Sequence, residues 1–176
     1  MLLLVLLIVP LIGIFIISSR SFATADSHLN EVKTIGLTTS IVNLLISIVI
    51  WVLFDFSTNQ FQFVQECYES KLFSIYLGVD GISIYFVLLT TIIMPIALLS
   101  NWASITDNVK AYVIIVLLLE TLLLAVFLVL DIFLFYVFFE SILPPLFILI
   151  GLFGSQNKVR ASLYLFLYTF LPLPHA

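Results

Sequence analysis

Three carboxylates stand inside one apolar stretch. Glu120, Asp131 and Glu140 fall between Ala111 and Phe153, a run without a single basic side chain. A charge at the centre of a bilayer costs roughly 2.5–3.5 kcal/mol on insertion scales. Acids in such places therefore persist where they face a bundle interior, a cavity or a partner, and the chemistry open to them is proton or ion movement. Glu140 is the strongest candidate, as a proton relay. It follows Phe138-Phe139 and precedes Pro144 and Pro145. Pro144 lacks the N–H that would bond the carbonyl of Glu140, and Pro145 does the same to Ser141. Two freed carbonyls beside a buried acid make a polar spot where water collects, and the two prolines should kink the helix. Tyr136 and Pro144 lie one turn either side of Glu140 on the same face. The competing reading is a protonated acid that merely packs the bundle. Glu120 is open to both a relay role and a plain interhelical hydrogen bond. Asp131 sits where the chain must turn, so a helix cap or a surface position explains it.

No other chemistry competes. Within this chain there is no Ser-His-Asp set, no Gly-rich phosphate loop and no metal-ligand spacing. Cys67 is the only cysteine, which excludes an intrachain disulfide or a Cys-ligated cluster. His28 and His175 lie in a loop and at the terminus, so the chain is expected to bind no redox cofactor. Six Lys and Arg in the whole chain make no nucleic-acid surface.

The elements that position these acids follow from composition. The chain of 176 residues is 63% hydrophobic and 9% charged. A soluble domain carries about 25% charge, so a water-facing surface cannot be built from this inventory. Spans need about 20 apolar residues, and the candidates are Leu2–Ser19, Thr34–Phe54 and Gly81–Ser100. The run from Ala111 to Phe153 is too long for one span and is expected to form two, turning near Leu130-Asp131. A sixth helix begins near Val159 and ends at about Leu171, before Pro172 and Pro174, and is marginal as a full span. The runs lack the alternation of barrel strands. The fold class is therefore all-α, a polytopic helical membrane protein of five to six transmembrane helices. Residues 1–108 form three peripheral spans, and 109–176 hold helices four, five and the start of six.

Loops one, three and five hold Arg20, Lys33, Lys110, Lys158 and Arg160, whereas loops two and four hold only Lys71. The positive-inside rule then places the N-terminus outside. The first basic residue follows the first apolar run, so this run is expected to be a retained helix despite the cleavage-like Ala23-Thr24-Ala25. Loop two, residues 55–79, has Phe54, Phe56, Phe61 and Phe63 alternating with polar neighbours, which predicts a short strand or hairpin on the outer surface. At its end, Asp80 is expected to cap the third helix.

The stretch Phe135-Tyr136-Val137-Phe138-Phe139-Glu140-Ser141-Ile142-Leu143-Pro144-Pro145 resembles the subunit 4 family of mitochondrial NADH:ubiquinone oxidoreductase, respiratory complex I. Gly151-Leu152-Phe153-Gly154-Ser155, Lys158-Val159-Arg160-Ala161, Tyr164 and Leu167-Tyr168-Thr169 continue the pattern. Upstream, Leu77-Gly78-Val79-Asp80-Gly81-Ile82-Ser83 and Leu130-Asp131 also fit. The resemblance implies an antiporter-like, proton-pumping membrane-arm subunit in the mitochondrial inner membrane, and the beginning of an inverted-repeat fold. It matches Glu140 to the acid that faces a lysine on a broken seventh helix, and Glu120 to a position that varies. NADH, FMN, iron–sulfur clusters and ubiquinone are then expected on other subunits. The implied partners are other membrane-arm subunits, neighbouring antiporter-like subunits among them, membrane lipid and a second chain that completes the fold. The family continues past Tyr168-Thr169 to about fourteen helices, whereas this sequence ends at Ala176. A truncated or split fragment with a structural or assembly role is the alternative.

Overall fold

The structure is a computed structural model that describes residues 1–19, 26–58, 60–69, 74–154 and 157–170. Arg20, Lys71, His175, the 23–25 segment and prolines 172 and 174 lie outside the described residues, as do the side chains of His28 and Cys67. Seven helices and one hairpin are described: α1 Leu2–Ser19, α2 Asp26–Leu53, β1 Gln62–Glu69, β2 Ser74–Val79, α3 Ser83–Ser100, α4 Val109–Leu128, α5 Ile132–Ser141, α6 Leu143–Phe153 and α7 Lys158–Phe170. Five segments are long and apolar enough to cross a membrane, with α5 and α6 together forming the fifth, Ile132–Phe153. In lipid a helix is the spanning element because it satisfies most of its backbone N–H and C=O groups internally.

The turn expected near Leu130-Asp131 falls there: α4 ends at Leu128 and α5 begins at Ile132. The Pro144-Pro145 pair divides the fifth span at Ile142, which keeps helical dihedrals (φ −71°, ψ −30°). Hydrogen bonding resumes with Leu146 N–H donating to the Ile142 carbonyl at 3.2 Å. The sixth helix, α7, is described from Lys158 to Phe170.

Two expectations need correction. The second helix begins at Asp26 and not at Thr34. Its first turns are polar, so apolar counting stops short of them, but helical hydrogen bonding needs no apolar side chain. The strand expected among the alternating phenylalanines starts only at Gln62. Before it, Asp55 Oδ1 accepts the Ser57 N–H at 2.9 Å and Gln62 Oε1 accepts the Asp55 N–H at 2.9 Å, which folds the segment into a turn. Phe54 and Phe56 there form an aromatic cluster, ring centroids 4.9 Å apart, and Phe56 also meets Trp51 and Tyr85. This is the interfacial ring belt typical of a span's end. β1 and β2 pair antiparallel, and Leu77 bridges to Val129, with Leu130 N–H donating to the Tyr76 carbonyl at 3.0 Å. The hairpin is thereby fastened to the α4–α5 turn.

The central helix is α4, which touches α1, α2, α3, α5 and α6. The core has two apolar halves. One gathers Leu3, Leu6, Ile50, Ile84, Val87, Leu124 and Leu128. The other gathers Ile17, Val32, Leu98, Val109, Val113, Val116 and Leu117. Between them in sequence along α2, α3 and α4 lie the buried polar residues Ser40, Asn43, Ser47, Thr90, Thr91, Glu120 and Thr121. Gly36 lets α2 approach α4, because a Cβ there would collide with Val113 Cγ1. Close approach through small residues is the usual packing device where lipid removes the hydrophobic drive between helices.

Candidate functional site

Gly36, Ser40, Asn43 and Ser47 recur at intervals of three and four, so they share one face of α2. That face is turned into the bundle: Ser40, Asn43 and Ser47 are each wholly buried. Opposite them on α4 stands Glu120, also 0% exposed. The Asn43 amide Nδ2 donates to Glu120 Oε1 at 2.8 Å, and the Ser40 hydroxyl donates to Oε2 at 3.2 Å. One turn along α2, the Ser47 and Thr91 hydroxyls lie 2.7 Å apart, tying α2 to α3. Asn43 Oδ1 is buried and meets no hydrogen-bond partner among the described residues. The hydrogen-bond partners of the Glu120 carboxyl are thus neutral side chains. Sequence reasoning singled out Glu120 but missed Ser40, Asn43 and Ser47. Their common helix face was the available signal.

Glu140 stands in a different setting. Leu134, Phe138, Leu143 and Pro145 are more covered than their neighbours, and α5 packs on α4. Phe133, Tyr136 and Val137 are exposed, as is Pro144. Glu140 belongs to this second face, turned away from α4 and half-buried. Tyr136, one turn earlier, is its electrostatic neighbour. Glu140 Oε2 is buried and meets no hydrogen-bond partner among the described residues. The structure does not join Glu120 and Glu140: the first is bonded to α2, and no hydrogen bond links the second to it among the described residues.

Two aspartates sit at helix starts. Asp80 Oδ1 accepts the Ser83 N–H at 2.6 Å and the Ile82 N–H at 3.2 Å, and the Asp80 N–H donates back to Ser83 Oγ at 2.9 Å. This reciprocal arrangement occupies the first turn of α3. The Ser83 hydroxyl first, and its backbone N–H second, hold the Asp80 carboxyl below the usual aspartate range. Asp131 caps α5, its Oδ1 accepting the Phe133 N–H at 2.7 Å and the Leu134 N–H at 3.4 Å.

At the opposite helix ends stand three lysines. Lys33 Nζ donates to the carbonyls of Trp102 (2.5 Å) and Ile105 (2.9 Å), just past α3, and lies over the Trp102 ring. Lys110 Nζ donates to the Ser18 carbonyl at the end of α1 (3.2 Å), and Lys158 Nζ to the Leu152 carbonyl at the end of α6 (2.9 Å). Cations there complement the negative ends of the helix dipoles.

Residues 129–172 match the family described as NADH:quinone oxidoreductase/Mrp antiporter, transmembrane. NADH-ubiquinone oxidoreductase chain 4 of Mycosarcoma maydis is 50% identical over 165 residues, covering 93% of this chain and 34% of that protein. Its counterpart in Arabidopsis thaliana is 44% identical over 171 residues, covering 94% of this chain and 33% of that protein. An uncharacterized 50.9 kDa protein in ND4 intron 1 of Podospora anserina is 61% identical over 196 residues, covering 94% of this chain and 44% of that protein. The chain therefore spans between a third and a half of the length of these relatives. Among solved structures, a chain of the membrane-bound sulfane sulfur reductase, an archaeal respiratory membrane complex, superposes with a TM-score of 0.77 at 18% identity, covering 96% of this chain and 34% of that one. At that identity the likeness is one of fold. Over most of its length, this helical membrane chain is thus similar to a part, the N-terminal region, of NADH-ubiquinone oxidoreductase chain 4.

Proposed function

We propose that the chain is a multi-pass part of the membrane arm of a proton-pumping NADH:ubiquinone oxidoreductase in the mitochondrial inner membrane. In this reading it contributes part of a proton path driven by electron transfer from NADH to quinone. Glu140 is the relay acid and Glu120 a second acid on the α2 side. The redox groups (NADH, FMN, iron–sulfur clusters and ubiquinone) belong to other subunits. Its partners are neighbouring membrane-arm subunits and membrane lipid. The N-terminus and the aspartate-capped ends face the intermembrane space.

One observation carries this reading. Glu140 sits beside the proline-broken ladder, half-buried, with one buried carboxyl oxygen that meets no hydrogen-bond partner among the described residues, on the helix side that also carries Phe133, Tyr136, Val137 and Pro144. A carboxyl so placed can meet water or a cation brought by a neighbouring helix, and its charge then depends on that neighbour. The test is Glu140→Gln in the assembled complex. Proton pumping per NADH oxidised is expected to fall severely while the complex still assembles. Unaltered pumping at normal assembly would remove Glu140 from the path.

A second reading is a structural or assembly role without conduction. It is favoured by where the described lysines are spent: each is bonded to backbone carbonyls at helix ends, far along the chain's spans from Glu140. The Glu140→Gln variant decides between the two: the relay reading expects proton pumping per NADH oxidised to fall, and the structural reading expects it unaltered at normal assembly.

A further inference from the structure

Neither reading uses the cleft bounded by α3, α4 and α6 near the lysine-capped ends. It measures about 560 Å³. Its deep part is apolar, with Ile93 and Met94 on α3, Leu119 on α4 and Leu149 on α6, while Asn101 and Gly154 stand at its mouth. From Val109 to Leu119, α4 rises about 15 Å, against a hydrocarbon thickness of about 30 Å. The cleft is therefore one leaflet deep. A docked spanning helix needs a groove through both leaflets, whereas an acyl chain needs only one.

No lysine lines the cleft itself, but Lys158 stands beside its mouth. Gly154 touches the stem of Lys158 so closely that an added Cβ would lie 2.9 Å from Lys158 Cβ. The Lys158 ammonium has three donors and gives one to the Leu152 carbonyl at 2.9 Å. Lys33 and Lys110 stand at the same end of the bundle, bonded to carbonyls just past α3 and at the end of α1. A lysine beside an apolar slot, with two more at the same end of the bundle, fits a molecule with an anionic head and a hydrocarbon tail.

We propose that this cleft is a lipid site, which takes one acyl chain of an anionic phospholipid with its phosphate at Lys158. The test uses the chain in the membrane assembly in which it is purified, returned to phosphatidylcholine vesicles that carry a phosphatidylglycerol with a photoactivatable diazirine at mid-chain. Adducts are mapped by mass spectrometry. Labelling is expected at Ile93, Met94 and Leu149, several-fold above that at Leu11 and Leu45 on the outward faces of α1 and α2. Unlabelled phosphatidylglycerol should compete at the cleft far better than added phosphatidylcholine. Lys158→Gln should lower cleft labelling several-fold, and Ala97→Phe, which fills the slot, should abolish it, with labelling of α1 and α2 unchanged as the check on folding. Equal competition by both lipids would reduce the cleft to ordinary annular contact and overturn the proposal. So would absent cleft labelling with α1 and α2 labelled, which is the result of a helix lying there. If Lys158→Gln also changes α1 and α2, then Ala97→Phe and the lipid competition decide by the same criteria.

Discussion

Asp80 and Asp131 each satisfy backbone N–H groups that a helix start leaves without partners, and each brings negative charge to the positive end of a dipole. Replacing Asp131 by Ala should cost about 1 kcal/mol of stability, measured by reversible unfolding in detergent. Asp80 gives a pH-dependent prediction. Its carboxyl is held below the usual aspartate range, chiefly by the Ser83 hydroxyl. A depressed group stabilises the fold above its unfolded value, and that contribution is lost as pH falls through the folded value. The stability advantage of the native chain over Asp80→Asn should thus be present at about pH 6 and shrink toward about pH 2. It will be small, because Asp80 is only half-buried and solvent screens it. A thermal-melt difference that grows in acid would contradict the assignment. At this scale the sequence was informative where a residue type has one cheap job. Aspartate before an apolar run announces a cap, and an acid deep in such a run announces a cost that something must offset. What offsets it was not legible, because the partners of Glu120 lie 77 and 80 residues away in the chain.

The element scale belongs to the seam between the two apolar halves of the core, where α2, α3 and α4 are fastened by side-chain hydrogen bonds in place of aliphatic packing. Removing Asn43 leaves the Glu120 carboxyl short of a donor, at a cost of about 1–3 kcal/mol. A double-mutant cycle of Asn43→Ala and Glu120→Ala should therefore show a coupling of about 0.5–3 kcal/mol. Additive losses in unfolding free energy would mean that the pair is incidental. Helix positions were readable in advance because hydropathy sums over many residues. The seam was not, because a few small polar residues hardly change such a sum. The same averaging hid the first turns of α2, and alternating phenylalanines imitated a strand where Asp55 and Gln62 in fact close a turn.

Taken whole, the two ends of the molecule differ: Asp80 and Asp131 bond N–H groups at helix starts at one end, and Lys33, Lys110 and Lys158 bond carbonyls at the other. The proposed orientation can be read directly with single cysteines in a Cys67→Ser background. A cysteine at the exposed Ser57 should react with an impermeant maleimide from the intermembrane-space side, and one at the exposed Asp107 from the matrix side. The reverse pattern would invert the topology. The sequence foretold this sorting by counting loop charges, but a count cannot tell a lysine facing water from one bonded to a carbonyl.

That distinction has a practical consequence. The cations counted for orientation are, here, the same groups that bond carbonyls at the ends of α1 and α6 and just past α3. Engineering an inverted insertion by relocating Lys33, Lys110 and Lys158 would therefore loosen those last turns as well, so failed assembly could report fraying and not wrong-way entry. Lysine-to-glutamine exchange, paired with arginine added at an unbonded site nearby, separates the two effects: it restores the charge that guides insertion and leaves the carbonyls without their cap.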